Sequence, residues 1–281
     1  MARPEVPSDP PISMGQITAG PFSFTDEGSG PVVVAIPGYP GGPRDFRWLA
    51  PALGPDVRLI RLAMPGFEQT PLATEPGERL LDRARFITQA VTSLQLGEVF
   101  LIGHSLGGAL AGMAAVELGA RASGLGLICS VGPVPHPGVR GARMQWLSAI
   151  IRRPILGWPM RQLMPRAFSQ MGFPPHFSID QLAHTIHCAA ALDFESWTRH
   201  IDQLSCPTLV AWGEDDPLIP SEISTMLAER APPGPRLAFA RGGHSIQKHH
   251  AVEVAQALRT MMGLPPRAES HDEETITDRG E

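Results

Sequence analysis

One short segment, residues 99–108, constrains the fold more than any other part of the chain. It reads Val-Phe-Leu-Ile-Gly-His-Ser-Leu-Gly-Gly, and its first four residues are typical of a buried strand. The next five match Gly-x-Ser-x-Gly, and an apolar stretch with helical character follows at residues 109–118. A sharp strand-to-helix turn needs small residues two before and two after its serine, because neighbouring main chain passes close by. The segment therefore predicts that Ser105 sits on such a turn, at the end of a strand.

Short apolar runs alternate with helical patterns on both sides of this segment. We predict strands over Phe22–Thr25, Val32–Ile36, Val57–Leu62, Val99–Ile102, Gly124–Cys129, Thr208–Trp212 and Leu237–Phe239. We predict helices over Pro43–Leu53, Leu80–Leu94, Leu106–Leu118, Ser221–Arg230 and Ile246–Met262. Because alternating strands and helices build parallel pairs, this pattern predicts an α/β fold with a mostly parallel sheet and helices on both faces.

The alternation is interrupted between residues 133 and 203, which are rich in bulky apolar residues but contain no convincing strand. We interpret this stretch as a helical cap inserted into one α/β core, which residues 15–132 and 204–264 form. A length of 281 residues suits one core domain with such an insertion. Residues 1–14 are rich in proline and residues 265–281 are charged, so both are predicted to be disordered tails.

Charge and cysteine content limit the classes of partner and compartment. A formal net charge of −5 argues against a general nucleic-acid binder. No apolar run approaches the roughly 20 residues that cross a bilayer, and the first residues lack the apolar core of a signal peptide. Three cysteines form no disulfide framework, so each is expected to be a small buried side chain. A cytoplasmic location is expected.

The predicted cap carries charge of one sign. No Asp or Glu occurs between Glu117 and Asp180, whereas the cap part of this interval contains Arg140, Arg143, Arg152, Arg153, Arg161 and Arg166. Three interpretations stay open: a solvated basic face over an apolar helical core, attraction of an anionic substrate, or peripheral contact with lipid.

Two later segments carry the partners that a nucleophilic serine needs, since a base must take its proton and a carboxylate must orient that base. An apolar strand ends near residue 213, and the turn after it presents Asp216, which Pro217 follows. Glu214 and Asp215 compete for the role of the acid, but the spacing favours Asp216. His244 follows two glycines after a later strand and precedes a helix, so we expect it at the same edge of the sheet.

These three motifs, in this order, resemble those of the α/β-hydrolase superfamily, and in particular its serine esterases and lipase-like members. The resemblance covers about residues 16–263. It implies an eight-stranded sheet with a helical cap after the sixth strand. It also implies that Ser105 is the nucleophile, Asp216 the acid and His244 the base.

The resemblance also implies where the remaining site residues lie. Oxyanion-binding N–H groups are expected from Leu106 and, in the loop after the strand Val32–Ile36, from Tyr39. The family usually has His-Gly in this loop, and Pro37 replaces the histidine here, which puts the anchoring of the loop in question. The predicted substrate-binding residues are Gly38, His104, Trp146 and Trp158.

The expected reaction is hydrolysis of carboxylic esters through an acyl-enzyme, on small to medium, largely apolar substrates. Epoxide hydrolysis and dehalogenation are excluded, because relatives with those activities use an aspartate nucleophile and this chain has Ser105. No cofactor is expected. No metal is expected either, because the cap histidines have no coherent ligand spacing: His136, His176, His184, His187 and His200.

Three alternatives stay open. Carbon–carbon bond hydrolases share the triad, and a basic cap suits their anionic substrates, but Ser245 stands where they usually have an aromatic residue. Cofactor-free haloperoxidases and perhydrolases share the triad as well. A ligand receptor on the same fold is the alternative outside enzymes. The natural substrate and the oligomeric state do not follow from the sequence.

Overall fold

The computed structural model describes residues 7–74, 79–136, 139 and 141–267, apart from the side chains of 141 and 142. It contains a single sheet with the strands β1 (Ile12–Ile17), β2 (Gly20–Glu27), β3 (Val32–Ile36), β4 (Arg58–Leu62), β5 (Val99–His104), β6 (Ala122–Ile128), β7 (Thr208–Gly213) and β8 (Arg236–Phe239).

The order across the eight-stranded sheet is β1-β2-β4-β3-β5-β6-β7-β8. The pairs β1–β2 and β2–β4 are antiparallel, whereas every pair from β4 to β8 is parallel. The carboxyl ends of β3, β5, β6, β7 and β8 therefore meet at one edge of the sheet, where the loops that follow them lie side by side. The predicted fold class is confirmed.

Helices cover both faces of the sheet and build the cap. They are α1 (Leu49–Leu53), α2 (Leu80–Ser93), α3 (Leu106–Leu118), α4 (Gly141–Ile151), α5 (Pro154–Gln170), α6 (Ile179–Ala190), α7 (Phe194–Gln203), α8 (Ser221–Arg230), α9 (Ile246–His249) and α10 (Ala251–Met261). Short 3₁₀ turns lie at Pro43–Phe46, Leu72–Thr74 and Gly119–Arg121.

Two predicted helices are each divided in the structure. The helix predicted over Pro43–Leu53 is a 3₁₀ turn followed by α1, because Pro51 has no N–H to continue a helix from the preceding turn. The helix predicted over Ile246–Met262 breaks at His250, whose backbone has φ −128° and ψ 38°. The ring of His250 stacks on Phe239 at a centroid distance of 3.9 Å, which holds the break in place.

The prediction of disordered tails is wrong where the structure describes them. Residues 12–14 begin β1, whose backbone pairs with β2 from Ile12 opposite Thr25 onward. At the other end, Arg259 donates to the carbonyl of Pro265 at 2.8 Å, and Arg267 donates to that of Pro51 at 2.7 Å. Main-chain and arginine hydrogen bonds thus fix segments that composition alone marks as polar. The remaining residues of both predicted tails, 1–6 and 268–281, lie outside the described residues.

The cap lies between β6 and β7 and consists of α4 to α7, which fall within residues 133–203, where the sequence predicts an insertion. It has a small apolar core of its own, formed by Ile151, Met164, Phe168, Leu182, Ala183 and Ile186. Trp197 of α7 attaches the cap to the sheet domain. Its indole is fully buried, donates to the Val131 carbonyl at 3.0 Å and fills the space over Gly112 of α3.

The three cysteines, Cys129, Cys188 and Cys206, are buried and reduced, as predicted. Among the described helices, none has the length and apolar character needed to cross a membrane.

Candidate active site

Ser105 lies on the sharp turn that the sequence predicts, between the end of β5 and the start of α3. Its backbone has φ 56° and ψ −123°, a conformation that costs free energy for any residue with a Cβ. The turn is tight because a Cβ on Gly107 would lie 2.2 Å from the Pro37 carbonyl oxygen. Neighbouring main chain therefore enforces the small residue two positions after the serine.

Asp216 and His244 are brought together at the same edge of the sheet. Asp216 follows β7, His244 follows β8, and His244 Nδ1–H donates to Asp216 Oδ2 at 2.7 Å. The other carboxylate oxygen, Oδ1, accepts from the main-chain N–H groups of Leu218 at 2.8 Å and Ile219 at 3.1 Å. The carboxylate is thereby fixed in one orientation, and the imidazole with it.

The hydrogen bonds keep Asp216 charged despite its burial. Burial alone would raise the pKa of its carboxyl group, but the hydrogen bond and charge of His244 and the N–H groups of Leu218 and Ile219 outweigh burial and lower that pKa. A charged carboxylate at this position stabilises an imidazolium at His244.

Asp215, which competed with Asp216 for this role in the sequence, has a different one. Its carboxylate accepts from the main-chain N–H of Gly243 at 2.7 Å and of Gly242 at 3.3 Å, and these bonds lower its pKa. Asp215 therefore holds the loop that presents His244, and its neighbour Asp216 holds the ring.

His104, predicted to bind substrate, also supports His244. The Nε2–H of His104 donates to the main-chain carbonyl of His244 at 2.6 Å, and the two rings lie 4.8 Å apart between centroids. Burial and the neighbouring His244 lower the pKa of His104 to about 3, so its ring is neutral. This bond makes His104 a positioning residue for His244, and a direct contact with substrate stays a prediction.

The loop after β3 passes close to Ser105, as the predicted oxyanion hole requires. A Cβ on Gly38 would lie 3.1 Å from the Cβ of Ser105 and 3.0 Å from Nδ1 of His104, so a side chain there would press on both residues. Tyr39 and Leu106 line the same cavity as Ser105. Because Leu106 is the first residue of α3, its N–H has no acceptor within the helix. That the N–H groups of Tyr39 and Leu106 bind an oxyanion stays a prediction.

Cys129 is a residue that sequence reasoning passed over. It directly follows β6, is fully buried, and has a positive φ of 42°. Its Sγ lies within 4.8 Å of ligand atoms of Asp216 and His244, a grouping of the kind that binds metals. Burial and the Asp216 carboxylate raise the pKa of Cys129 to about 12, however. In this structure it is therefore a thiol, and its S–H donates to the Gly243 carbonyl at 3.7 Å.

An apolar cavity of about 120 Å³ opens beside Ser105, between the sheet edge and the cap. The cap contributes mainly apolar side chains: Met144, Phe168, Met171, Phe173, Ile186, Ala189 and Leu192.

His136 also lines this cavity, although the sequence singled it out only as a cap histidine without metal spacing. Its place a few residues after β6, near the carboxyl end of a central strand, is the signal that would have identified it.

Trp146 and Trp158, which were predicted to bind substrate, lie outside this cavity. Their side chains are 65% and 63% exposed, and neither lines the cavity beside Ser105. The physical reason is the rotation of the cap helices: α5 turns Gly157, Met164 and Phe168 inward, so Trp158 faces outward.

A second, more polar cavity of about 500 Å³ lies beside His244. It is lined by acidic and basic groups together: Arg44, Asp45, Arg47, Glu68, His176 and Lys248. Burial raises the pKa of Asp45 to about 7, and the hydrogen bond from Gly42 and the charge of Arg47 counter this only in part. The site thus has an apolar compartment at Ser105 and a polar one at His244.

Comparisons with known proteins agree with this geometry. The model of the alpha/beta hydrolase family matches residues 33–257. A 2-hydroxy-6-oxo-6-phenylhexa-2,4-dienoate hydrolase from Burkholderia cepacia is 24% identical over 251 residues, which cover 81% of this chain and 86% of that protein.

A dihydrolipoyllysine-residue acetyltransferase component of an acetoin cleaving system from Pseudomonas putida is 26% identical over 247 residues. The match covers 84% of this chain but only 64% of that protein, so this chain spans less than two thirds of its length.

Among solved structures, a thermophilic esterase from Thermogutta terrifontis has the same fold. It superposes with a TM-score of 0.66 at 22% identity, covering 90% of this chain and 98% of that one. The family model spans most of the chain, and the turn at Ser105 lies where this fold requires it. The chain therefore belongs to the α/β-hydrolase family.

Proposed function

We propose that this protein is a serine hydrolase that cleaves carboxylic esters. The observation that carries the proposal is that three groups lie along one sheet edge: Ser105 on its strained turn, and the hydrogen-bonded pair of His244 and Asp216. This arrangement is the one that activates a serine hydroxyl for attack on a carbonyl.

The proposed reaction has two steps. Ser105 Oγ attacks the ester carbonyl carbon while His244 Nε2 takes its proton, and Asp216 stabilises the imidazolium that forms. The N–H groups of Tyr39 and Leu106 bind the oxyanion. The tetrahedral intermediate then collapses, the C–O bond to the alcohol breaks, and His244 gives its proton to the departing oxygen. In the second step His244 deprotonates a water molecule, which attacks the carbonyl carbon of the acyl-enzyme. The C–O bond to Ser105 then breaks, His244 returns the proton to Ser105 Oγ, and the acid leaves.

The cavity beside Ser105 supports the proposed substrate size. Its volume of about 120 Å³ and its apolar cap wall suit a short to medium acyl group, whose burial there is favourable.

A fluorophosphonate probe together with p-nitrophenyl esters tests the proposal. We expect the protein to hydrolyse the esters, the probe to label Ser105 in a peptide map, and Ser105→Ala to abolish both. Ser93→Ala, which changes an exposed serine at the end of α2, is the matched control and is expected to retain both. Ester turnover that persists in Ser105→Ala would refute the proposal, and the absence of labelling would favour a ligand receptor.

Carbon–carbon bond hydrolysis is the second candidate, and the polar cavity favours it. Arg47 and Lys248 line the compartment next to His244, where they can attract an anionic substrate. The Burkholderia cepacia relative is named for a reaction on such an anion, a dienoate. Loss of the dienoate absorbance on incubation with this protein, faster than p-nitrophenyl ester hydrolysis, would favour this candidate over the esterase. Halide-dependent peroxide chemistry has no observation of this kind in its favour.

A further inference from the structure

His136 is a buried polar group inside an otherwise apolar compartment. It is 4% exposed and lines the cavity that also contains Ser105. Within the described part of the chain, no partner of either ring nitrogen meets full hydrogen-bond geometry, although the Leu218 main chain lies close enough to the ring to interact with it. Buried polar groups are nearly always paired, because a lost hydrogen bond to water costs free energy unless a new one replaces it. A ring whose hydrogen bonds are incomplete and that faces a substrate cavity therefore indicates a partner that arrives with the substrate.

The ring of His136 is neutral at physiological pH. Burial lowers its pKa to about 4, against the smaller opposing effects of a hydrogen bond to the Leu218 main chain and of the charge of Asp216. A neutral imidazole has one N–H donor and one bare nitrogen acceptor. It can bind a hydroxyl group through either nitrogen and a keto oxygen through its N–H.

The surroundings of His136 fix its place in the cavity. Its own carbonyl accepts from the N–H of Val139 at 2.9 Å, and its ring packs edge-on against Phe194 of α7. Just before it, Thr198 of α7 donates to the carbonyl of Pro133 at 2.8 Å. The ring is thus held at the sheet edge by α7, within electrostatic reach of Asp216 and His244.

We propose that His136 forms a polar subsite that binds a hydroxyl or keto oxygen on the acyl part of the substrate, a few bonds from the scissile carbonyl. The substrate class is then 3-hydroxy- or 3-oxoacyl esters, with the rest of the acyl group in the apolar cavity. The ester part of this statement rests on the proposed function, whereas the oxygen-binding part rests on the cavity alone.

The binding test uses Ser105→Ala, so that turnover plays no part, and two neutral ligands, methyl 3-hydroxybutanoate and methyl butanoate. NMR titration is expected to show at least about tenfold tighter binding of the hydroxy ester, the effect of one added hydrogen bond. Adding His136→Phe is expected to remove this preference, and His136→Gln to retain part of it. His200→Phe, a histidine of α7 outside the cavity, is the matched control and should keep the preference.

Equal affinity for the two ligands, or a preference that survives His136→Phe, would overturn the subsite. The same pair as p-nitrophenyl esters tests turnover: the kcat/KM ratio should fall by at least about tenfold in His136→Phe. If neither ester is hydrolysed while the binding preference holds, the proposed function fails and the subsite stands.

A separate observation concerns the outer face of the cap. On α5, Ile155 is 87% exposed, and Leu156, Trp158 and Leu163 are also largely exposed, on the side opposite its buried residues. Trp146 of α4 is exposed as well. Clustered apolar side chains of this size on a surface mark an interaction site more often than a solvated face.

The charge of the same region selects the partner. The interval from Glu117 to Asp180 contains no acidic residue between its ends, whereas Arg152, Arg153 and Arg166 are exposed beside the apolar side chains. Tryptophan and arginine on an apolar helix face suit the boundary between acyl chains and anionic headgroups. We infer that this face, formed by α4 and α5, docks on an anionic lipid surface.

Co-sedimentation with vesicles tests this inference. The protein is expected to bind equimolar phosphatidylglycerol–phosphatidylcholine vesicles, to be released by high salt, and to bind phosphatidylcholine alone at least about tenfold more weakly. Ile155→Glu with Trp158→Glu should abolish binding, and Met226→Glu, at an exposed methionine of α8, should leave it intact. Equal binding to both kinds of vesicle, or no binding to the anionic vesicles, would overturn the inference. If the protein fails to bind and scattering shows a dimer, the face is covered by a second copy of the chain.

Discussion

The sheet edge and the cap enclose the same cavity, but they hold their side chains in different ways. At the sheet edge, Asp216, His244 and their supports Asp215 and His104 are each fixed by hydrogen bonds, mostly to main chain. In the cap, the residues that face the cavity pack through apolar contacts around a small core of their own. The difference indicates that the sheet edge determines the reaction, because reactions need fixed distances, and that the cap determines the substrate, because selection needs shape.

The largest expected effect concerns the sheet edge, where Asp216→Asn disrupts the hydrogen bond that orients His244. An amide at this position can donate to Nδ1 of His244 and so favours the wrong tautomer, which cannot accept the proton of Ser105. By analogy with other triads, kcat should fall about 10⁴-fold on every ester, whatever its acyl chain. Steady-state kinetics on two chain lengths checks this, with thermal unfolding as the control for folding. A loss confined to one chain length would contradict the division of roles.

The same comparison explains what the sequence could predict. Ser105, Asp216 and His244 could be found because each follows a strand and stands in a short motif with glycine or proline at set positions. Local backbone geometry demands those small or rigid residues, so the pattern is visible in one sequence.

The cap residues could not be assigned in this way. Trp146 and Trp158 looked like cavity residues because they are large and apolar, but periodicity alone does not say which face of a helix turns inward when both faces carry apolar side chains. His136 was passed over for a related reason, because its burial beside the cavity is a property of the packed structure. No strand was predicted where β1 lies, because this edge strand is largely exposed and its sequence has a weak pattern.

The second expected effect is on stability, at the joint between the two regions. Trp197→Ala removes a fully buried indole that bonds Val131 and packs on Gly112 of α3, so unfolding should become about 3–5 kcal/mol easier. Urea denaturation measures the change. Trp197→Phe is the matched variant: it keeps much of the packing but leaves the Val131 carbonyl unpaired, and should cost about 1–3 kcal/mol. Equal losses in both variants would show that the hydrogen bond, and not the packing, joins cap and sheet.

A third prediction concerns the polar cavity beside His244, where Asp45 has a pKa raised to about 7 by burial. Between its ordinary pKa and this one, the folded protein holds a proton that the unfolded chain releases, so stability falls as pH rises through this window. Asp45→Asn carries no such charge. The unfolding free energy of the variant minus that of the wild type should therefore increase by about 2 kcal/mol when the pH is raised from 5 to 8.

Denaturation curves at the two pH values measure this difference. Glu222→Gln, at a glutamate in the first turn of α8 outside the polar cavity, is the control and should follow the wild type. A gain of the same size at both pH values would mean that Asp45 is not the group that titrates.

The smallest expected effect tests whether the cap selects the acyl chain of the substrate. Ile186 of α6 is 6% exposed and lines the cavity beside Ser105, so Ile186→Trp should fill part of its volume of about 120 Å³. We expect the ratio of kcat/KM for an octanoate ester to that for an acetate ester to fall about tenfold, because only the longer acyl group needs the lost space. Ile186→Val removes one methylene and should shift the same ratio slightly upward. Because overpacking also destabilises, the ratio, and not the rate on either ester, is the quantity that separates selection from folding. If both variants change the two rates in parallel, the cap acts on the reaction itself and the division between sheet edge and cap fails.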